Sequence, residues 1–534
     1  MTSPSGRRPA WPSSCGDCRT HRPRPSRPTW IAWPAGSRAD RASVSHPRSV
    51  IPDLLPVSML DGGTERYDVV VAGFGIAGGC AALEAARGGA RVLLLERAAV
   101  PGGTTGMAGG HFYLGGGTAV QRATGHEDSA EEMYTYLVAT SKEPEHDKIR
   151  AYCEGSVEHF GWLEALGFAF ERSYFGGKAV IQPGTEGLMF TGNEKVWPFR
   201  EQARPAPRGH KVPVAGDTGG AALVMDLLRD RVVEAGVEVR YETGATALVR
   251  DESGAVVGAG WRSFGDTGVV GAGATVIAAG GFVMNPEMVA QYTPALGTPE
   301  LIALGSSYDD GLGIRLGMSA GAAVRHLEEP FITAPFYPPP VLVTGLIVNS
   351  RGERFVAEDS YHARTSQFVM EQPGSAAYLI VDSAHLAEPQ MPLVPVLDGY
   401  ETVAAMAAGL GVPAGVLERT LARYNGWAAR GEDPDFGKSA DWLAPQDQGP
   451  WAVFDLRLGH ALYAGFTLGG LRTTVDGQVR RGDGSVIAGL YAAGACASNI
   501  AQDGKGYVSG AQLGEGSFFG RRAGRHAAGR RAAG

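Results

Sequence analysis

Residues Tyr67–Glu96 read YDVVVAGFGIAGGCAALEAARGGARVLLLE, and they constrain this chain more than any other stretch. Tyr67 to Ala72 is a short, valine-rich apolar run, the pattern of a strand buried on both faces. Gly73, Gly75 and Gly78 then form G-x-G-x-x-G. The first glycine permits a tight turn, the second lets backbone approach a pyrophosphate, and the third lets helix and strand pack closely. Ala77 to Gly88 is rich in small, helix-compatible residues, so its N-terminus is a ready anion site. Val92 to Leu95 is a second buried strand. Glu96 follows, 18 residues after Gly78, where an acid binds a ribose hydroxyl. A glycine triplet alone is a weak signal. Strand, helix and acid in their places make it a dinucleotide-binding unit.

At 534 residues the chain exceeds one ordinary domain. Its net charge of −8 is unevenly distributed. Residues 1–58 hold nine Arg, no Lys and three Asp, a net of +6, which leaves −14 for the rest. An acidic body argues against nucleic acid as a partner. No apolar run is long enough to span a bilayer, so membrane insertion is not expected. The five cysteines make no disulfide framework. Cys80 and Cys153 fall in helical stretches and Cys496 in a small-residue loop, as reduced thiols of a cytoplasmic protein would. Cys15 and Cys18 form a C-x-x-C without a second pair, and no metal site is read from them.

Residues 1–58 are rich in Arg, Pro and Ser and lack periodicity, so they are expected to be disordered or a non-native extension before Met59. Helices are expected over 128–170, an irregular Gly- and Pro-rich segment over 173–217, and a helix at 221–235. A hairpin is expected around Glu252-Ser253-Gly254. Gly273 to Gly281 is a buried strand ending in glycines. Residues 283–454 differ in composition, with a helix near 401–430. GLYAAGACAS (489–498) is another strand-plus-glycine unit, followed by a helix over 514–526. The fold class is α/β. A Rossmann-like domain is split into residues 64–282 and 455–527, an α+β substrate domain (283–454) is inserted between, and a short tail covers 528–534.

Four segments together are more specific than the triplet: GFGIAG (73–78), PGGTTGMAGG (101–110), ATVIAAGGF (274–282) and GLYAAG (489–494). The set resembles the flavoprotein family of fumarate reductase and succinate dehydrogenase flavoprotein subunits and 3-ketosteroid dehydrogenases, over roughly residues 66–527. The resemblance implies FAD as cofactor, extended across the split domain, with the inserted domain over the flavin ring. AGGHFYLGGGT (108–118), YCEGSVEHFGWL (152–163), PAPRGH (205–210), GLIVNSRGERFVAEDSY (345–361), GFTLGGLRTTV (465–475) and GYVSGAQLGEGSFFGRRAG (506–524) are similar to the 3-ketosteroid Δ4-(5α)-dehydrogenases.

That likeness implies Gly73, Gly75, Ile76, Ala77, Gly78, Glu96 and Arg97 on the pyrophosphate and adenosine ribose. It continues the dinucleotide along Gly102, Gly103, Thr104, Thr105, Gly109 and Gly110, with Ala279, Gly280 and Gly494 in further turns. Glu515 is placed to bind a ribityl hydroxyl, and Gln512 and Leu513 to present N–H groups to the flavin. Gly103 stands where covalent members carry the flavin-linking histidine, so FAD is expected to be noncovalent. His111 is better read as a loop residue.

The subgroup's two catalytic tyrosines and its serine map onto Tyr361, Tyr507 and Ser509. Desaturation beside a ketone needs a base, a group that polarises the carbonyl, and an apolar slot. Which tyrosine does which job stays open. Tyr113 is a candidate for the substrate side or for core packing. His362, expected to point away from Tyr361 in an extended segment, and Lys505, a cation near the site, depart from the subgroup. Residues 331–344 are a candidate pocket wall or a core strand. The substrate implied is a small apolar polycyclic ketone, with an unknown electron acceptor. Alternatives are a Δ1-type ketosteroid dehydrogenase or natural-product desaturase, a soluble fumarate-reductase-like ene-reductase using Arg354 and Arg364 for anions, and a non-enzymatic flavin carrier.

Overall fold

The computed structural model describes residues 50–216, 219–334, 340–389 and 393–530. Its main sheet runs in the order Leu55–Pro56, Thr243–Arg250, Val256–Ser263, Asp266–Ile277, Arg66–Ala72, Val92–Leu95, Glu238–Arg240. Strand Val486–Ala492 also pairs with Asp266–Ile277, and Gln478–Arg480 lies beyond it. The chain therefore leaves this sheet after Ile277 and returns to it some 200 residues later.

Asp266–Ile277 changes partner along its length. Residues 266–271 run antiparallel to Val256–Ser263, while residues from Gly271 onward run parallel to Arg66–Ala72. The strand expected to begin at Gly273 thus starts seven residues earlier, as the return arm of the hairpin. That hairpin turns at Asp251–Gly254 as its sequence indicates.

Four parallel strands end in one row. Ala72 is paired with Leu95 on one side and Ile277 on the other, and Ile277 with Ala492. Parallel sheets bind ligands outside their carboxyl ends, and every strand in this row runs directly into one of the sequence-predicted cofactor segments. Helix Ile76–Arg87 follows the first of them. The final helix, Ala511–Ala528, crosses it closely, since side chains at Gly520 and Gly524 would overlap the carbonyls of Ala77 and Ala81.

Residues 50–58 depart from the disordered segment expected for 1–58. Leu55–Pro56 pairs in parallel with Val249 and Arg250, and Arg315 donates to the Val50 carbonyl at 3.0 Å. A two-residue strand has no periodicity to detect, and it occupies an open sheet edge. Residues 1–49, with Cys15 and Cys18, lie outside the described residues, as do residues 531–534 of the tail.

Between the two visits to the main sheet, Leu346–Asn349, Ala377–Asp382, Trp451–Asp455 and Val396–Tyr400 form an antiparallel sheet. Helices Val403–Leu410 and Val416–Ala428 pack their apolar faces on it through Met406, Leu417, Leu421 and Tyr424. The single helix expected near 401–430 is two, because Gly411 and Gly415 adopt positive φ around Pro413. A smaller sheet joins Leu301–Ala303, Tyr463–Thr467 and Pro330–Thr333.

A buried charge network ties Arg354 to Glu358 (2.8 Å) and Asp433 (3.0 Å), with Lys438 3.3 Å from Glu358. It anchors the segment that leads to Tyr361. Burial pushes the Glu358 carboxyl up, but the charges of Arg354 and Lys438 outweigh it and hold the group at about 2. A carboxyl depressed in the fold adds stability above its unfolded pKa and loses it as pH falls toward the folded one. Glu358→Gln should cost about 3–5 kcal/mol at neutral pH by stranding buried cations. It should also flatten the fall in Tm between about pH 4.5 and 2, as thermal unfolding of both proteins across that range would show.

Candidate active site

The nucleotide end is built by steric necessity. Gly73 sits at φ 105°, and a side chain at Gly78 would overlap the Gly73 carbonyl oxygen, so the turn closes only with glycine at both. Gly75 is the N-cap of the first helix and carries no capping side chain. The Thr105 hydroxyl instead accepts from Ile76 N at 3.1 Å. A Cβ at Gly75 would meet the Thr105 hydroxyl at 3.1 Å and the Gly102 carbonyl at 3.8 Å, and one at Gly103 only Ser306 Oγ at 3.9 Å. This is a glycine-lined trough at a helix N-terminus, which suits a pyrophosphate.

Glu96 is buried beside it and accepts from Phe74 N and Ala98 N, both at 2.7 Å. Burial pushes its carboxyl up, and these N–H groups pull it back. Arg97 turns outward, pairing with Asp310 at 2.8 Å and covering Tyr308. Thr104 receives the N–H of Ser306 at 2.7 Å and donates to Asp309 at 2.5 Å. Asp309 packs against Gly280, just past Ala279, and burial raises its carboxyl to about 6. Gly494 meets Ala77. Gly109 and Gly110 lie against Ile181 and Gly220, so their close approaches are to protein. His111 is in a strand, not a loop, with Nε2 2.7 Å from Gln182 Oε1.

The final helix starts at Gly510, again with no capping side chain, and presents Gln512 and Leu513 in its first turn. Gln512 also donates from its side chain to Asn499 Oδ1 at 3.0 Å. Glu515 is buried and accepts from Ile500 N at 2.8 Å, and burial raises its carboxyl to about 7. The residues present fit an extended dinucleotide: a glycine-capped helix end, an open glycine trough, and buried carboxylates able to accept from hydroxyls.

The structure brings the three sequence-predicted catalytic residues to one place. Tyr361 Oη and Ser509 Oγ are 2.6 Å apart across 148 residues of sequence. Tyr507 is buried under Phe331 (centroids 4.4 Å) and Phe466 (5.7 Å). Burial pushes its phenol well up, with Tyr361 close enough to add to the effect, while the Gln512 N–H pulls the other way. Burial likewise raises Tyr361, the Ser509 hydroxyl lowers it, and Glu194 raises it.

Several expectations around this pair are corrected. His362 does not continue an extended segment: Tyr361 is the N-cap of helix His362–Met370, and the two rings lie 4.0 Å apart. His362 Nδ1 meets the Thr333 hydroxyl, and burial lowers the imidazole to about 3, so it is neutral. Lys505 directs its ammonium away from the tyrosines, 2.7 Å from Glu371 and over Phe368, and only its backbone faces inward. Arg354 is neutralised by Glu358 and Asp433, and Arg364 stacks between Phe199 and Phe368. Tyr113 is core, donating to Glu194 at 3.0 Å. Phe331 is a strand residue whose ring reaches Tyr507, but residues 335–339 of the expected pocket wall lie outside the described residues. Sequence reasoning missed Asn193 and Glu194, which sit in the segment read only as loop-like.

A helix start behind a glycine turn, a buried acid at the second strand and a further glycine turn at Gly494 define a flavin dinucleotide fold. The chain belongs to the FAD binding domain family, whose model matches residues 68–518, and it is an FAD-binding oxidoreductase. It is similar to the crystal structure of 3-ketosteroid-Δ4-(5α)-dehydrogenase from Rhodococcus jostii in complex with 4-androstene-3,17-dione. That match has a TM-score of 0.84 and 39% identity, covering 90% of this chain and 100% of the other. The 3-oxo-5-alpha-steroid 4-dehydrogenase of Comamonas testosteroni is 29% identical over 81% of this chain and 93% of its own length. The vinyl phenol reductase of Lactiplantibacillus plantarum is 28% identical over 87% and 97% respectively.

Gly78→Ala should force the helix off the Gly73 carbonyl and weaken FAD binding. Overpacking of about 1–3 kcal/mol corresponds to roughly 5- to 150-fold in affinity. The ratio of flavin to protein absorbance after gel filtration measures it.

Proposed function

We propose that this protein introduces a C=C bond beside the ketone of a steroid-like polycyclic substrate, in the manner of a 3-ketosteroid Δ4-(5α)-dehydrogenase. The observation that carries the reading is the 2.6 Å hydrogen bond between Tyr361 and Ser509, with Tyr507 packed alongside. The likeness to a solved dehydrogenase of that type supports it. Bound FAD supplies the hydride acceptor, held without a covalent link because Gly103 offers no nucleophile.

The rest is the work of side chains. Burial and Glu194 both disfavour a standing Tyr361 phenolate, and one serine hydroxyl opposes them. Tyr361 therefore works as a relay. As its oxygen takes the proton from the carbon alpha to the ketone, its own proton passes to Ser509 Oγ, and the serine, only partly buried, releases one toward solvent. Tyr507 is the carbonyl partner: its hydroxyl lies at the N-terminal turn of the final helix beside the Gln512 N–H, where negative charge on an enolate oxygen is stabilised. Phe331 and Phe466 provide apolar surface against the same ring. The neutralised Arg354 counts against a fumarate-type dicarboxylate substrate. Among the described residues no helix is long and apolar enough to cross a membrane. A cytoplasmic location, with an acceptor yet to be identified, completes the proposal.

Anaerobic mixing of the yellow protein with 5α-3-ketosteroids, 4-ene-3-ketosteroids and succinate tests the reading. Loss of oxidised-flavin absorbance with the saturated 5α-ketone is expected. Bleaching by the 4-ene-3-ketosteroid instead would indicate Δ1 chemistry, and bleaching by none would remove the ketosteroid assignment. Tyr507→Phe should keep FAD bound and lower the bleaching rate by about 10²- to 10⁴-fold. Full activity in that variant would remove Tyr507 from the reaction.

A further inference from the structure

The tetrapeptide Thr191-Gly192-Asn193-Glu194 lies in an irregular segment outside both halves of the Tyr361–Ser509 pair, yet it touches both. Asn193 is fully buried. Its Oδ1 accepts from the backbone N–H of Tyr361 at 2.9 Å, and its Nδ2 donates to the backbone carbonyl of Lys505 at 3.2 Å. The partners fix the amide orientation, since an N–H needs an acceptor and a carbonyl a donor. Its own N–H donates to Tyr136 Oη at 2.8 Å. Two residues earlier, the Thr191 carbonyl accepts from Ser509 N at 2.9 Å. Gly192 lets the loop come this close: a side chain there would overlap Val508 and stand 2.8 Å from Tyr136 Oη.

One side-chain amide thus spans the two backbone segments that carry the relay, while the neighbouring carbonyl holds the serine. Tyr361 is delivered by a helix start and Ser509 by a loop; Lys505 of that loop reaches Phe368 and Glu371 at the far end of the helix, whereas the Asn193 amide bridges the two at the Tyr361 end. We infer that Asn193 is a positioning residue for the proposed desaturation: it clamps the Tyr361 backbone to the 505–509 loop and so sets the distance across which the proton passes. The inference rests on the dehydrogenase reading given above.

The test uses the FAD-loaded full chain and a 5α-3-ketosteroid, with flavin bleaching and steady-state turnover as readouts. Wild-type bleaching tests the dehydrogenase reading; the ratio between variants tests the inference. Asn193→Asp keeps the acceptor toward Tyr361 N but sets an oxygen against the Lys505 carbonyl. Displacing a catalytic group by about 1 Å costs about 10²-fold in rate, so kcat should fall by roughly 10- to 100-fold while KM changes by less than about 3-fold and FAD stays bound. In a Ser509→Ala background, where there is no relay left to align, the same substitution should lower kcat by less than about 3-fold. Asn193→Ser serves as the second variant and should behave alike. Unchanged kcat, or a loss that multiplies in full onto Ser509→Ala, would overturn the inference. So would loss of FAD or of folding in both Asn193 variants, which would make the residue a structural one.

Discussion

The alignment of Leu95, Ala72, Ile277 and Ala492 in one row of parallel strand ends governs the rest of this molecule. Each strand ends facing the same edge, so each following turn is delivered to the same crevice. The first turn closes only because Gly73 and Gly78 have no side chains, and the last helix reaches that crevice only because Gly520 and Gly524 let it cross the first one closely. The strands between Ile277 and Gln478 belong to other sheets, and that stretch of chain carries Tyr361.

That delivery relies on buried charge. Arg354 and Glu358, a few residues before Tyr361, are enclosed with Asp433 and Lys438 from far along the chain in one mutually bonded cluster of two cations and two anions. Such a cluster is a poor source of net stability but a demanding one geometrically. It also removes Arg354 as a free cation, which separates this site from one built for dicarboxylates. Around the tyrosines the balance is different. Burial pushes both phenols up and so favours their protonated forms. An aromatic-lined site with two bonded hydroxyls suits an apolar ketone.

Much of this was legible in the residues. Tyr67–Glu96 carries its own structural logic, because strand, glycine spacing, helix and acid each answer a separate physical need. Tyr361, Tyr507 and Ser509 came through the family resemblance, since nothing local in GERFVAEDSY or GYVSG states that two hydroxyls will meet 148 residues apart. Asn193 left no signal: its side-chain contacts are all long-range, and TGNE in a glycine-rich stretch looks like any turn. The misread residues have separate causes. Lys505 announces a cation, but it is the backbone carbonyl that faces the site. His362 was placed by assuming an extended chain, whereas Tyr361 caps a helix and turns the next side chain toward Thr333. Leu55–Pro56 was too short to have a pattern.

The central claim is that residues from two distant segments share one reaction, with Tyr507 on the ketone and Tyr361 passing a proton to Ser509. A crystal structure of the FAD-loaded protein with a bound 4-ene-3-ketosteroid tests it most directly. The account predicts the ketone oxygen at about 2.7–3.0 Å from Tyr507 Oη, with Tyr361 Oη over the neighbouring ring carbon and still bonded to Ser509. A steroid whose ketone lies away from both phenols, or a ligand that separates Tyr361 from Ser509, would contradict it.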